Sequence, residues 1–286
     1  MKKHVKLCFL MSFAAVLAFS ATASQGGFEK TSLQTPVVKK DSGRMGLNYD
    51  IYAGGFKALY AHLDMDIDKK AYDLALTAET QGFIGKLFPW KGDYTTSGKT
   101  DDGTLIPSLH TSTSSWRKKV KITEMHFNPK GKVLKTSTQV KGHNKIDRNI
   151  RPELAADAVD MLTGVLMLFQ QTKNAEKCEG SYPVFDGKRR FNVVLKDAGI
   201  DTIRKTKYSQ FSGDAMKCTI RVEPVAGFKR VDSQRGWMLV QNHTEERDKP
   251  PTIWLAQIAD NGPVVPVRME IKSEYGAVVA HLTAAK

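Results

Sequence analysis

The sequence predicts a mainly β protein: a single large curved antiparallel sheet, a β-spiral or open barrel, wrapped around one main helix near residues 152–171. Three observations predict it. Apolar and polar residues alternate at period two through much of residues 46–284. Turn-forming residues break that alternation at short intervals. One segment alone shifts to helical spacing. A sheet of many strands with one dry face must curl to bury it.

The chain opens with a different signature. Lys2, Lys3 and Lys6 precede an apolar run from Leu7 to Ala21, and Ala21 and Ala23 frame a cut before Ser24. Residues 1–23 therefore read as a cleavable secretory signal. The run is too short to cross a bilayer by itself, and Cys8 lacks the small apolar residues of a lipoprotein anchor. The expectation is a periplasmic protein with no transmembrane segment after cleavage. Residues 24–45 are polar, carry Pro36 and the run Lys39-Lys40-Asp41-Ser42-Gly43, and read as a flexible leader. Residues 46–284 read as a single mainly β domain.

Within that domain, Phe56 to Asp68 sets Leu59, Ala61, Leu63, Met65 and Ile67 on one face. Tyr60, His62, Asp64, Asp66 and Asp68 fall on the other. Asp68-Lys69-Lys70 turns the chain into a second strand through Tyr72, Leu74, Leu76 and Ala78. Trp116 to Phe127 and Val133 to Val140 flank the turn Asn128-Pro129-Lys130-Gly131. Further strands are expected over Arg190 to Lys196, Thr219 to Glu223, and Val267 to Ile271. A last one follows a turn at Glu274-Tyr275-Gly276. Asp186-Gly187 is a tight-turn pair, and Pro263 and Pro266 suit a bend or a sheet edge. The helical segment opens at Pro152, where a first turn tolerates proline. It then repeats Leu154, Ala158, Met161, Leu162, Val165 and Phe169 at helical spacing.

Cleavage removes three lysines and Cys8, leaving 40 basic residues against 30 acidic ones, and two cysteines. The positive excess favours anionic partners, a lipid or an envelope glycan, and export argues against nucleic acid. An even cysteine count in an oxidising compartment reads as a structural disulfide between Cys178 and Cys218. Neither cysteine has the close spacing or neighbouring histidines of a redox or metal site.

Patterns with chemical content are few. Ser97-Gly98-Lys99-Thr100 ends like a phosphate-binding loop, but Asp93 stands where its first glycine belongs. Asp64-Met65-Asp66-Ile67-Asp68 starts like a calcium loop and then continues with core residues. His62, His110, His126, His143, His243 and His281 show no metal spacing, and each reads as a surface or lightly buried residue. The run Thr111 to Ser115 has no adjacent base to activate a hydroxyl. No catalytic residue, metal site or cofactor is expected. Two basic clusters at strand ends are candidate anion contacts: Arg117, Lys118, Lys119 and Lys121, and Lys188, Arg189 and Arg190. The competing reading is a solvated strand edge on which lysines deter aggregation.

The segment Tyr182-Pro183-Val184-Phe185-Asp186-Gly187-Lys188-Arg189-Arg190-Phe191 lies between the two cysteines. With Gly227-Phe228, Ile253-Trp254-Leu255 and Pro263-Val264-Val265-Pro266-Val267, it resembles the bacterial exported family known as domain of unknown function 3108. The resemblance extends over residues 46–284. It implies a curved antiparallel sheet around a helix, distantly like the periplasmic β-spiral envelope-integrity proteins, and it brings no catalytic residues. The resulting expectation is a non-enzymatic periplasmic protein that supports the cell envelope and binds a lipid or other anionic component. The alternatives are a scaffold that contacts an envelope protein, and an envelope hydrolase whose site forms only in three dimensions.

Overall fold

A computed structural model describes residues 44–175, 177–232, 236–259, 262–273 and 276–286. The expected signal segment 1–23, and all but the last two residues of the leader, lie outside the described residues.

Fourteen strands form one antiparallel sheet. The first eight are β1 (Arg44–Ala53), β2 (Phe56–Ile67), β3 (Ala71–Thr80), β4 (Trp90–Asp101), β5 (Thr104–Trp116), β6 (Lys119–Phe127), β7 (Val133–Val140) and β8 (His143–Asp147). The rest are β9 (Gly180–Phe185), β10 (Arg190–Ile203), β11 (Gly213–Ala226), β12 (Thr252–Gln257), β13 (Val264–Ser273) and β14 (Gly276–Ala285). Their order is β8-β7-β6-β5-β4-β3-β2-β1-β14-β13-β12-β11-β10-β9. Every strand pairs with its sequence neighbours except β8 and β9, and β1 pairs with β14 at the centre. The edges β8 and β9 do not pair with each other, so the sheet curls without closing.

Helix α1 (Gly82–Leu87) links β3 to β4, and α2 (Pro152–Ala155) with α3 (Met161–Ala175) links the two edge strands. Helix α4 (Gly236–Glu245) follows β11. The main helix α3 lies inside the curl. It sets Leu162, Val165, Leu166, Leu168 and Phe169, none exposed, against Leu63, Leu76, Val184, Val193, Leu195 and Val267. Each such side chain contributes about 1.5–3 kcal/mol through burial, which is why a sheet too large to stay flat bends around it.

Two expectations are corrected. The helix does not run unbroken from Pro152. Asp157 adopts a left-handed backbone (φ 55°), and Val159 makes an isolated parallel bridge to Val184 of β9. Asp160 then caps a new helix. Leu154 and Ala158 consequently leave the main core and join a smaller cluster with Met125, Phe127 and Phe185, which fills the seam where β9 approaches β6. Pro266 is at neither a bend nor an edge. It lies in β13, between β12 and β14, opposite Leu255 at a register shift, where a missing N–H is tolerated. Its carbonyl accepts a hydrogen bond of 3.0 Å from the buried Tyr49 hydroxyl. Helix α4 is an element that the alternation did not announce. Its Gln241 accepts from Val222 N (2.6 Å) and donates to Val222 O (3.1 Å), filling the hydrogen bonds of β11 beyond the reach of β12.

Cys178 and Cys218 are both buried and disulfide-bonded, with Cα atoms 5.6 Å apart. The bond ties the chain just beyond α3 to the middle of β11.

Candidate functional site

Directly opposed residues on neighbouring strands share a face, so the register gives the lining of the curl rung by rung. One rung runs Leu63, Leu76, Tyr94, Ser112, Thr123, Thr138 and Lys145 from β2 to β8. The next runs Ala61, Ala78, Gly92, Ser114, Lys121, Val140 and His143. Both start in the core; the first ends in hydroxyls and Lys145, and the second passes Ser114 and Lys121 to Val140 and His143. Ser112 and Ser114, from the run Thr111 to Ser115, point inward, and Trp90 Nε1 donates to Ser114 Oγ (3.1 Å). Lys121 and Lys145 are exposed and have no carboxylate partner.

The two basic clusters come to the same end of the sheet. The meander places alternate turns together, so the β5–β6 turn (Arg117, Lys118) and the β9–β10 turn (Lys188, Arg189) share one rim. Gly187 joins them. A Cβ placed on it would lie 3.1 Å from Thr123 Cγ2, so the β9–β10 turn rests against the inner face of β6. Lys121 stands two residues from Thr123 on that face, about 6.6 Å along the strand.

The members of the clusters are not equivalent. Asp186 accepts backbone bonds from Lys188 and Arg189 (2.9 and 2.7 Å) and a side-chain bond from Arg189 Nε (2.8 Å). Arg189 also lies over the Phe228 ring at 5.3 Å, and Lys188 Nζ is 4.0 Å from Asp232. Arg190 opens β10, with Nε buried and without an acceptor. Arg117 covers the Trp116 ring at 5.9 Å. Lys118, Lys119 and Lys121 are exposed and meet no carboxylate among the described residues. The first cluster thus holds the available charge, while much of the second stabilises its own turn.

A buried polar network was missed in the sequence. Asp160 is fully buried, and His110, read there as a surface or lightly buried residue, is only 5% exposed. The Asp160 carboxylate accepts from Thr163 N (3.1 Å), Thr163 Oγ1 (2.7 Å) and Thr96 Oγ1 (2.8 Å), and His110 Nδ1 lies 3.3 Å away. Because Thr96 donates its one proton to Asp160, it accepts from His110 Nδ1–H at 2.7 Å. Thr163 likewise accepts from Tyr72 (2.8 Å). Burial raises the Asp160 pKa. Attraction to His110 and the bonds from His110 and Thr163 outweigh that effect and hold it below the usual carboxylate range. The helix N-terminus adds to the same preference. The Asp-x-x-Thr spacing ahead of an apolar helix was the available signal; Pro152 masked it.

In this network Thr96 is not held as a base-activated nucleophile. The hydroxyl nearest the imidazole is committed as a donor to the carboxylate, which is the reverse of a base-activated nucleophile. Lys173, also buried, lies 13 residues along α3, about 20 Å away. Its Nζ donates to Gly262 O (3.3 Å), and burial lowers its pKa. No group of three or more metal-ligating side chains occurs among the described residues, and none of their helices is long and apolar enough to cross a membrane. On the convex face, a hollow of about 420 Å³ is bordered by Arg44, Asp64, Asp66 and Asp73. It is acidic, unlike the rim.

No curated protein matches this sequence. The chain is similar to the crystal structure of a β-barrel-like protein of domain of unknown function 1849 from Brucella abortus. The two are 10% identical with a TM-score of 0.45, over 86% of this chain and 98% of that one. Residues 48–283 match the family model described as protein of unknown function DUF3108, and the chain belongs to that family.

Proposed function

We propose that the protein is a non-enzymatic periplasmic component of the cell envelope that holds an anionic or amphipathic molecule, a lipid or an acidic glycan, at the mouth of the curl. The observation that carries this reading is the change in lining from Leu63 and Leu76 to Ser112, Thr123, Thr138 and Lys145 along one rung. That lining does not stay apolar to its edge. Here it ends in hydroxyl donors and unpaired lysines beside Tyr94 and Trp116, groups that suit a ligand with an anionic head and an apolar body. The signal-like residues 1–23 and the bonded Cys178–Cys218 pair support an oxidising compartment outside the cytoplasm.

Native mass spectrometry of protein purified from its own host tests this. A co-purifying lipid or envelope glycan, displaced about tenfold more readily from a Lys119→Glu/Lys121→Glu variant, is the expected result. An empty protein that binds neither class when supplied would overturn the reading in favour of a scaffold acting through protein contacts.

A further inference from the structure

The rim carries a second feature that the mouth does not use. Phe56, in the β1–β2 hairpin, is 76% exposed, and Phe83 and Leu87, on α1, are 71% and 44% exposed. Helix α1 buries none of its residues. Phe83 and Leu87 are four residues apart, so they share one helix face, and that face looks outward. Hairpin and helix adjoin, since Gln81 N donates to Ala58 O at 2.8 Å. The arc continues through Phe88, stacked on Trp116 at 6.4 Å, to Arg117 on the same indole.

Cations interleave with these apolar tips: Lys57, Lys86, Arg117, Lys118, Lys119 and, at the β7–β8 turn, Lys141. Residues 54–63, 80–92, 116–123 and 140–146 contain no aspartate or glutamate. Lys57 alone of the six is paired, with Asp50 at 2.6 Å. Arg117 and Lys141 hold left-handed backbones (φ 53° and 50°) at turn positions where glycine or asparagine is more stable. At the far end, two turns carry acids: Asp68 beside Lys69 and Lys70, and Asp101 with Asp102.

Protein interfaces deplete charge at their apolar centre, so interleaved phenylalanines and lysines do not suit one. They suit a surface whose outer layer is anionic and whose next layer is apolar. There, aromatic rings enter the interfacial zone and lysines keep their ammonium groups among phosphates. We propose that this rim, from the β1–β2 hairpin through α1 to the β5–β6 turn, docks the protein on an anionic phospholipid bilayer, with Phe56 and Phe83 entering the interface. Docking requires no ligand in the mouth, although it would bring the mouth to a membrane.

Vesicle co-sedimentation tests it, with phosphatidylglycerol-containing vesicles against pure phosphatidylcholine. The purified protein is expected to partition onto the anionic vesicles about tenfold or more above the neutral ones. Phe56→Ser/Phe83→Ser and, separately, Lys86→Glu on α1 should each lower that partition about tenfold. Thermal midpoint and ligand retention should not change, because these side chains are exposed and outside the mouth. Equal partition of the double variant, or no preference for anionic vesicles, would overturn the proposal. So would a concentration-dependent dimer that the double variant abolishes in the absence of vesicles, since the surface would then be a self-interface. Because ligand retention is measured on the same samples, failure of docking and failure of the ligand reading give different results.

Discussion

The two halves of the inner face share backbone geometry and differ in what lies over them. From β9 through β14 to β3 the lining is Val193, Leu195, Ile220, Met269, Ile271, Leu63 and Leu76, with α3 pressed against it. From β5 to β8 the same rungs carry Ser112, Ser114, Thr123, Lys121 and Thr138; α3 meets β5 elsewhere along that strand, where Leu105 N lies against Met167 and His110 against Asp160. Along these two rungs the inner face turns polar beyond β4, while Met125 and Phe127 on the same face of β6 stay apolar under Ala158 and Phe185. On the polar stretch of the rungs, hydroxyls and lysines keep the sheet hydrated without exposing a large apolar patch.

The comparison can be broken first at the junction between the halves. Asp160→Ala leaves His110, Thr96 and Thr163 without their shared acceptor and uncaps α3. Loss of a buried charged partner costs about 3–5 kcal/mol, readable as a lower urea midpoint. Acid should act similarly. The folded Asp160 pKa lies below its unfolded value of about 3.9. Its contribution is therefore complete above that pH and lost as the pH falls through the lower folded value. An Asp160→Asn variant should show a flatter stability profile below about pH 4 than the parent protein.

Removing the disulfide with Cys178→Ser should cost about 3–4 kcal/mol in the chain-entropy description, the closed loop spanning 40 residues. Two free thiols in protein from the periplasm would end that reading. Along one rung, Leu76→Ala should cost about 2–5 kcal/mol, whereas Thr138→Ala should stay within about 0.5 kcal/mol. Equal costs from chemical denaturation would mean that the polar half is packed as tightly as the core. Ser112→Ala is the finest probe, with no change in stability and, if the mouth holds a ligand, weaker retention of it.

Much of this sheet was legible because alternation survives translation into structure. Leu59, Leu63 and Met65 face inward as spaced, and Asp186-Gly187 turns as its type requires (Gly187 φ 86°). The break at Asp157 was not legible. Pro152 and the apolar spacing beyond it fit one continuous helix locally, and only the bridge from Val159 to Val184 decides otherwise. The convergence of the basic clusters was equally hidden. Lys121 and Lys188 are distant in sequence, and their proximity depends on how far the sheet curls. His110 was misjudged because its partner, Asp160, is supplied by a different element.

The central pairing of β1 with β14 also bears on how the chain folds. Thr283 Oγ1 reaches Asn48 O across 235 residues, and Gly46 and Lys286 exchange two backbone bonds of 2.9 Å. Apart from this seam, the helical crossover between the edge strands and the α4 connection from β11 to β12, the sheet is made of local hairpins. A circular permutant that joins Lys286 to Arg44 and opens the chain near Arg148 would make the seam a short-range hairpin. Lower contact order should speed its folding while leaving the same rungs in register.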